Sequence, residues 1–430
     1  MRLNGGGAEN RSASFEGFSL RAGLLPLAVT TPLHRSCTGL RLPSLASPRA
    51  IAGLALLALS GLAVGAAFGE DTADNRSSIT EKVLWKFQTG KSIDAVPVVE
   101  GPVLYCGSMD GVFYAVDAGS GRELWRFATP QPVNSTAALT GDLVCFESGN
   151  TLYGLDKKTG TERWHYAASD QPPVLSLGFT DYHHSSPVIR DGVVYFGDGW
   201  GNLNGVDLRS GKPVFHYTTE ARQAIRSTPA IAGGVVYFGD WAGEVYAVNL
   251  ATCVLQWKTR LENTREYYGA VVSPMVIQKG VLYFGSQHDV FTPLDLATGK
   301  PVWKYVDPKH TYLPSTPLIH GDQVIVASTI YTLSVFCFGP TGEIVWQCPT
   351  DGIGFVTPAL QGSVLAINSS NFGKAGSLAF IDVNTGKVLQ RLPIERASPS
   401  SPVIAGGRLF IGCGDGAIYA LDYPGLIKKP

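Results

Sequence analysis

Between Val83 and Tyr423 the chain repeats one phrase eight times. It runs Ser/Thr-Pro, an apolar run, Gly, Val-Tyr-Phe-Gly-Asp, Leu-Tyr-Ala-Val-Asp, Thr-Gly and Trp, with a period of about 40 to 50 residues. Units of this length, read as short strands separated by glycine turns, cannot bury both sheet faces alone and must stack on their neighbours. The expectation is an all-β, eight-bladed β-propeller of four-stranded antiparallel blades.

The copies begin at Ala95-Val96-Pro97, Ser135-Thr136-Ala137, Ser185-Ser186-Pro187, Ser227-Thr228-Pro229, Val272-Ser273-Pro274, Ser315-Thr316-Pro317, Val356-Thr357-Pro358 and Ser400-Ser401-Pro402. A second strand follows, plainest as Val193–Gly197, Val235–Gly239 and 281–285, and a third as 113–117, 152–156 and 245–249. β-Branched and aromatic residues favour these pleated, half-buried surfaces. Trp125, Trp164, Phe215, Trp257, Trp303, Trp346 and Leu389 mark the fourth strands, where their recurrence reads as packing between blades.

The last copy ends after its third strand, whereas 83–87 is a fourth strand with no first three before it. Closure of the ring by strand 83–87 pairing with the last blade removes the open edges that recruit other chains. The segmentation is therefore a leader over 1–50, an apolar run over 51–69, a linker over 70–82, the ring over 83–423 and a tail over 424–430.

The run 51–69 follows Arg49 and precedes Glu70-Asp71, with Gly65-Ala66-Ala67 suited to a signal peptidase. It reads as a signal-peptide core or a retained membrane anchor, since spanning takes about 20 residues. Export to the periplasm or the extracellular space is expected. Cys106, Cys145, Cys253, Cys337, Cys348 and Cys413 fall one or two to a blade, mostly in strand slots, and read as small core or turn residues rather than a disulfide framework. The formal charge is −1 overall, and the first 70 residues carry six Arg against three Glu, so the ring itself is mildly acidic. No basic stripe marks a nucleic-acid partner.

The unit 235–240, 245–249 and Trp257 resembles the PQQ-type propeller repeat, and eight copies closed by an N-terminal strand resemble the BamB family, the propeller component of the outer-membrane protein assembly machinery. The resemblance covers Val83 to Tyr423. It implies a non-enzymatic scaffold in the envelope, although the lipid-anchored cysteine of enterobacterial members has no counterpart after the apolar run. The same repeat builds quinoprotein dehydrogenases, in which it implies a vicinal Cys-Cys over the quinone and a calcium ion. This chain has no adjacent Cys pair, so neither PQQ nor calcium is expected.

In a propeller, the loops entering the first strands and those joining second to third strands share one face around the axis, the default ligand surface. Here they carry Asp198, Trp200, Arg226, Asp240, Trp241, Tyr268, His288 and Tyr312 as candidates for ligand or partner contact. His183, His184, Arg226 and Tyr268 form an alternative acid, base and cation set for an exported, polysaccharide lyase-like enzyme. Against each stands a plain structural role: turn chemistry for the aspartates, edge cover for the tryptophans, an ion pair for Arg226. No metal site is expected, because adjacent histidines point apart. The partners expected are envelope proteins, including the outer-membrane assembly machinery, or a carbohydrate, and the ring is expected to be a monomer.

Overall fold

The computed structural model describes residues 35–37, 79–177, 184–262, 269–370 and 375–427. Eight blades follow one another in chain order, and in the regular ones the four strands pair in sequence, while blade 5 divides into two sheets. Blade 1, for example, runs Val98–Glu100, Val103–Gly107, Val112–Asp117 and Glu123–Ala128. The innermost strands have three residues and line the axis, whereas the middle strands are the most buried. In the final blade Val83–Gln88 lies antiparallel to Ala417–Asp422, with Trp85 opposite Ala420, so the ends of the ring share one sheet.

Repeated joints hold blade to blade. Each outer-strand tryptophan lies over the glycine of the next blade's turn; a Cβ added to Gly160 would come within 2.5 Å of Trp125, and one on Gly211 within 2.6 Å of Trp164. These glycines sit at positive φ, 71° and 68°, so their lack of a side chain serves both the turn and the joint. The indole Nε1 of Trp85, Trp125, Trp164, Trp257 and Trp346 donates to a carbonyl of the next blade at 2.9–3.1 Å. Nearer the axis, Gly107, Gly197, Gly239 and Gly412 admit Val133, Ile225, Val271 and Ile93 of the following blade, with 2.3–2.5 Å to an added Cβ.

Three joints depart from this pattern. Between blades 3 and 4 the tryptophan is Phe215 and the turn glycine is Cys253, at φ 58°. The two pack in one cluster, the smaller ring making room for the added Cβ. Five of the cysteines are free and buried as the sequence suggests, but Cys253 is disulfide-bonded, which corrects its reading as a turn filler. In blade 7 the tryptophan slot opposite Phe380 belongs to Gln390 rather than to Leu389, which is 39% exposed. The last blade has no third-to-fourth turn for a tryptophan to cover, and Phe380 instead packs on Tyr423, where the short helix Tyr423–Leu426 begins. Between blades 2 and 3, the slot held by glycine at Gly197, Gly239 and Gly285 and by Ala327 in blade 6 is Glu147.

Blade 5 is the irregular one. Its third strand divides into Val290–Phe291 and Leu294–Asp295 around Pro293, which has no N–H for the ladder, and Trp303 falls just outside the two-residue outer strand Tyr305–Val306. A three-residue strand, Arg35–Cys37, runs parallel to the outer strand of blade 3. Among the described residues no helix is long and apolar enough to cross a membrane; the run 51–69 lies outside them.

Candidate functional site

The loop-bearing face is built on one repeated device. An aspartate just after the second strand accepts one or two backbone N–H groups of its own turn and a polar side chain from the third strand. Asp240 takes the amides of Ala242 and Glu244 at 3.0 and 2.9 Å and the Tyr246 hydroxyl at 2.9 Å. Asp415 takes the Ala417 amide, the Tyr419 hydroxyl and Lys86. In blade 3, Asp198 binds the amides of Trp200 and Asn202 at 2.8 and 2.9 Å, but the tyrosine is replaced by Asn204, and the side chains of Asn202 and Asn204 both donate to the carboxylate. A polar ladder continues across this blade from Asn204 to His216 and from Asn202 to Thr218.

Blade 3 is also where charged side chains converge. The segment 171–177 crosses the face, and its consecutive carbonyls take two of the sequence candidates: Arg226 donates to Val174 at 2.6 Å, and His184 Nε2 lies 3.2 Å from the Leu175 carbonyl. Both side chains are buried. Beneath them lies Glu147, 2% exposed, whose Oε2 has no hydrogen-bond partner. Burial pushes its carboxyl well above the ordinary range, with Arg226 pulling it down and Asp198 pushing it further up. Glu147, Asp198 and Arg226 therefore sense one another from blades 2, 3 and 4. Sequence reasoning passed over Glu147, although a charged residue in a slot held mostly by glycine, and by Ala327 in blade 6, is a visible signal.

The other candidates are dispersed. Trp200 is 37% exposed and donates to the Pro172 carbonyl at 3.2 Å, while Trp241 is half-buried one blade on. His288 is buried over Gly243 and Gly269, its Nδ1 without a partner, and burial lowers its pKa to about 4. Tyr312 is buried and pairs its backbone with Thr329. His183 and Tyr268 lie outside the described residues, so of the acid, base and cation set the structure brings His184 and Arg226 under one segment. Among the described residues no group of three or more His, Cys, Asp or Glu side chains is disposed to hold a metal ion.

The axial channel narrows at this face to a cavity of about 40 Å³, ringed by Asn134, His184, Val272, Pro314 and Phe355, and by the second residue of each first-strand entry. It opens toward the opposite face into a mouth of about 350 Å³ lined by Pro187, Pro358, Pro402 and Val403. Pockets for ligands of cofactor size are typically about 300–1,000 Å³. The throat is too small for a tricyclic quinone, the mouth carries no carboxylate to hold calcium, and the chain has no adjacent cysteines. These residues do not fit PQQ.

The family model described as outer membrane protein assembly factor BamB matches residues 74–305, just over half of the chain. The chain belongs to this family. BamB of Moranella endobia is 24% identical over 351 residues, covering 76% of this chain and 84% of its own. The tetrathionate hydrolase of Acidithiobacillus ferrooxidans is 21% identical over 362 residues, covering 73% of this chain and 69% of the relative. A polyvinylalcohol dehydrogenase from a Pseudomonas species is 29% identical, but the match spans only 26% of that enzyme. Among solved structures, BamB from Moraxella catarrhalis superposes with a TM-score of 0.52 at 17% identity, over 76% of this chain and 82% of that one. The quinohemoprotein alcohol dehydrogenase from Comamonas testosteroni reaches 0.64 at 14% identity, over 81% and 77%. At these identities the structural likeness concerns the fold, and BamB-family membership coexists with enzymes on the same ring.

Proposed function

We propose that this chain is a non-enzymatic binding scaffold of the cell envelope, exported through its leader and using the loop-bearing face of blades 3 to 6 to hold a protein partner. The observation that carries the reading is the state of the face carboxylates. Asp110, Asp198, Asp240 and Asp415 all turn inward and close their own turns, so they hold the loops in place instead of presenting acids or bases to a substrate. What remains outward is contact chemistry, with Trp200 fixed by Pro172 and Trp241 half-buried one blade on, and amphipathic aromatics of this kind anchor interfaces. The names of the BamB relatives point to the outer-membrane assembly machinery as the partner.

Affinity purification from envelope extracts tests this. An outer-membrane assembly factor is expected to co-purify with the intact chain and to be lost from a Trp200→Ala, Trp241→Ala double variant that melts normally. A monomer that emerges alone under both conditions would count against the scaffold.

A second reading, an exported enzyme, is favoured by one observation: Glu147, a buried carboxyl that burial pushes well above its ordinary range while Arg226 pulls it down, is the kind of perturbed acid that active sites use. The tetrathionate hydrolase relative and the lyase-like set of His183, His184, Arg226 and Tyr268 supply candidate chemistries. Incubation with tetrathionate and with uronic-acid oligosaccharides, comparing the native chain with Glu147→Gln, decides it; turnover abolished by that single change would displace the scaffold.

A further inference from the structure

We infer that the axial throat is a binding site for one small monovalent anion of halide size, held by the Asn134 amide and the hydroxyls of Ser186, Thr228 and Ser401. The argument begins with where hydrogen-bonding capacity is already engaged. The Ser186 hydroxyl accepts the backbone N–H of Thr136 at 2.9 Å, Thr228 accepts that of Ser186 at 3.1 Å, and Ser401 accepts that of Thr357 at 2.8 Å. Each hydroxyl offers one donor and two lone pairs, so this blade-to-blade belt uses an acceptor and leaves the O–H. None of the three donates to a protein acceptor, and all three line the same cavity.

Asn134 provides an independent sign. It is only 8% exposed, it borders that cavity, and its side-chain amide makes no hydrogen bond to protein. Its amide is not among the fully enclosed polar atoms that lack a partner, so it meets the cavity space, where a ligand can reach it. The space, about 40 Å³, exceeds the roughly 10–15 Å³ that one water requires and accommodates a halide.

The donor balance selects the sign of the ligand. Four donor groups converge, whereas the lone pairs a cation needs are partly taken by backbone N–H groups. Among the lining residues no carboxylate faces the cavity, and its one ionisable member is His184. Val272, Pro314 and Phe355 supply an apolar part of the lining beside the further hydroxyls of Thr136, Ser273, Thr316 and Thr357, and apolar neighbours strengthen hydrogen bonds to a charge. An anion here would be shared by blades 2, 3, 4 and 8 and would stabilise the ring by mass action.

Sodium bromide is the probe. Crystals of the full chain grown in bromide are expected to show an anomalous peak on the axis between Asn134 and Thr228. In solution the melting temperature is expected to rise with bromide and saturate. Thr228→Val and Ser186→Ala, each lacking one donor, are expected to shift the half-saturation about tenfold upward at matched ionic strength, as the loss of one charge-assisted hydrogen bond implies. Absence of the axial peak, with density that refines as water, would overturn the assignment. So would a salt response identical in the native chain and both variants. If Thr228→Val fails to fold, Ser186→Ala and the native crystals still decide.

Discussion

The joint between blades 1 and 2 and the joint between blades 3 and 4 answer the same mechanical problem in different ways. In the first, Trp125 covers Gly160 and donates to the Lys157 carbonyl at 3.1 Å. In the second, Phe215 covers Cys253 and has no donor. Blade 3 is unusual on its other side as well, where Glu147 fills a slot that is glycine or alanine at comparable joints. The ring tolerates departures where both partners change together, and blade 3, which collects them, is also where Arg226, His184 and the crossing segment meet.

The sharpest way to break the comparison is to remove an indole. Trp125→Ala is expected to destabilise by about 3–5 kcal/mol, through the cavity and the lost hydrogen bond, read as denaturant midpoint at constant slope. A change under about 1 kcal/mol would mean that the joint is not what holds the blades together.

A double-mutant cycle sharpens it. Under reducing conditions, which open the Cys253 disulfide in every variant alike, Phe215→Trp alone overpacks against Cys253 and is expected to cost about 1–3 kcal/mol, whereas Phe215→Trp with Cys253→Gly recreates the regular joint and recovers most of that loss. Additive effects in the cycle would show that the two substitutions are unrelated.

The other side of blade 3 is tested by pH. The Glu147 carboxyl titrates above its ordinary value of 4.5, so the folded state prefers it protonated. The stability it contributes is complete below about pH 4.5 and declines as pH rises toward the raised value. The melting temperature of the native chain is therefore expected to fall as pH rises above 4.5 relative to Glu147→Gln, which does not titrate. Parallel curves would remove the argument for a buried acid. His288 works in the opposite sense: lowered from 6.5 to about 4, its contribution is present above pH 6.5 and is lost as pH falls through 4. Its replacement is expected to flatten the acid limb only.

The smallest effect belongs to the surface. Trp200→Ala is expected to change stability by no more than about 0.5 kcal/mol, since the ring is exposed, while removing a contact for a partner. A large drop in melting temperature would make Trp200 a structural pin for the crossing segment.

How much was legible varies from element to element. The strand pattern and the turn glycines are local, and a period repeated eight times averages out local noise, so the blades could be read from the chain. Pro293 announces the break in blade 5, but its effect on pairing is apparent only in the ladder. In the sequence reading Leu389 takes the slot for its apolar side chain, whereas the spacing of four from the turn glycine, as in Gly121–Trp125 and Gly160–Trp164, leads to Gln390, and the bulge before that slot is shared with the other blades. Glu147 was overlooked because a single residue has meaning only against the seven copies beside it.

The sequence by itself determined the ring, since eight identical demands for a neighbour can be met only by closure, and the strand 83–87 without a blade stated where the closure falls. Tertiary structure decided the rest: that Arg226 and His184 hang from one segment, that the face carboxylates turn inward, and that the hydroxyls of the first strands meet at the axis. The reason is physical. Periodicity records contacts that every blade makes with its neighbour, whereas a site on the axis is assembled from residues tens to hundreds of positions apart, each of which breaks the repeat in its own blade.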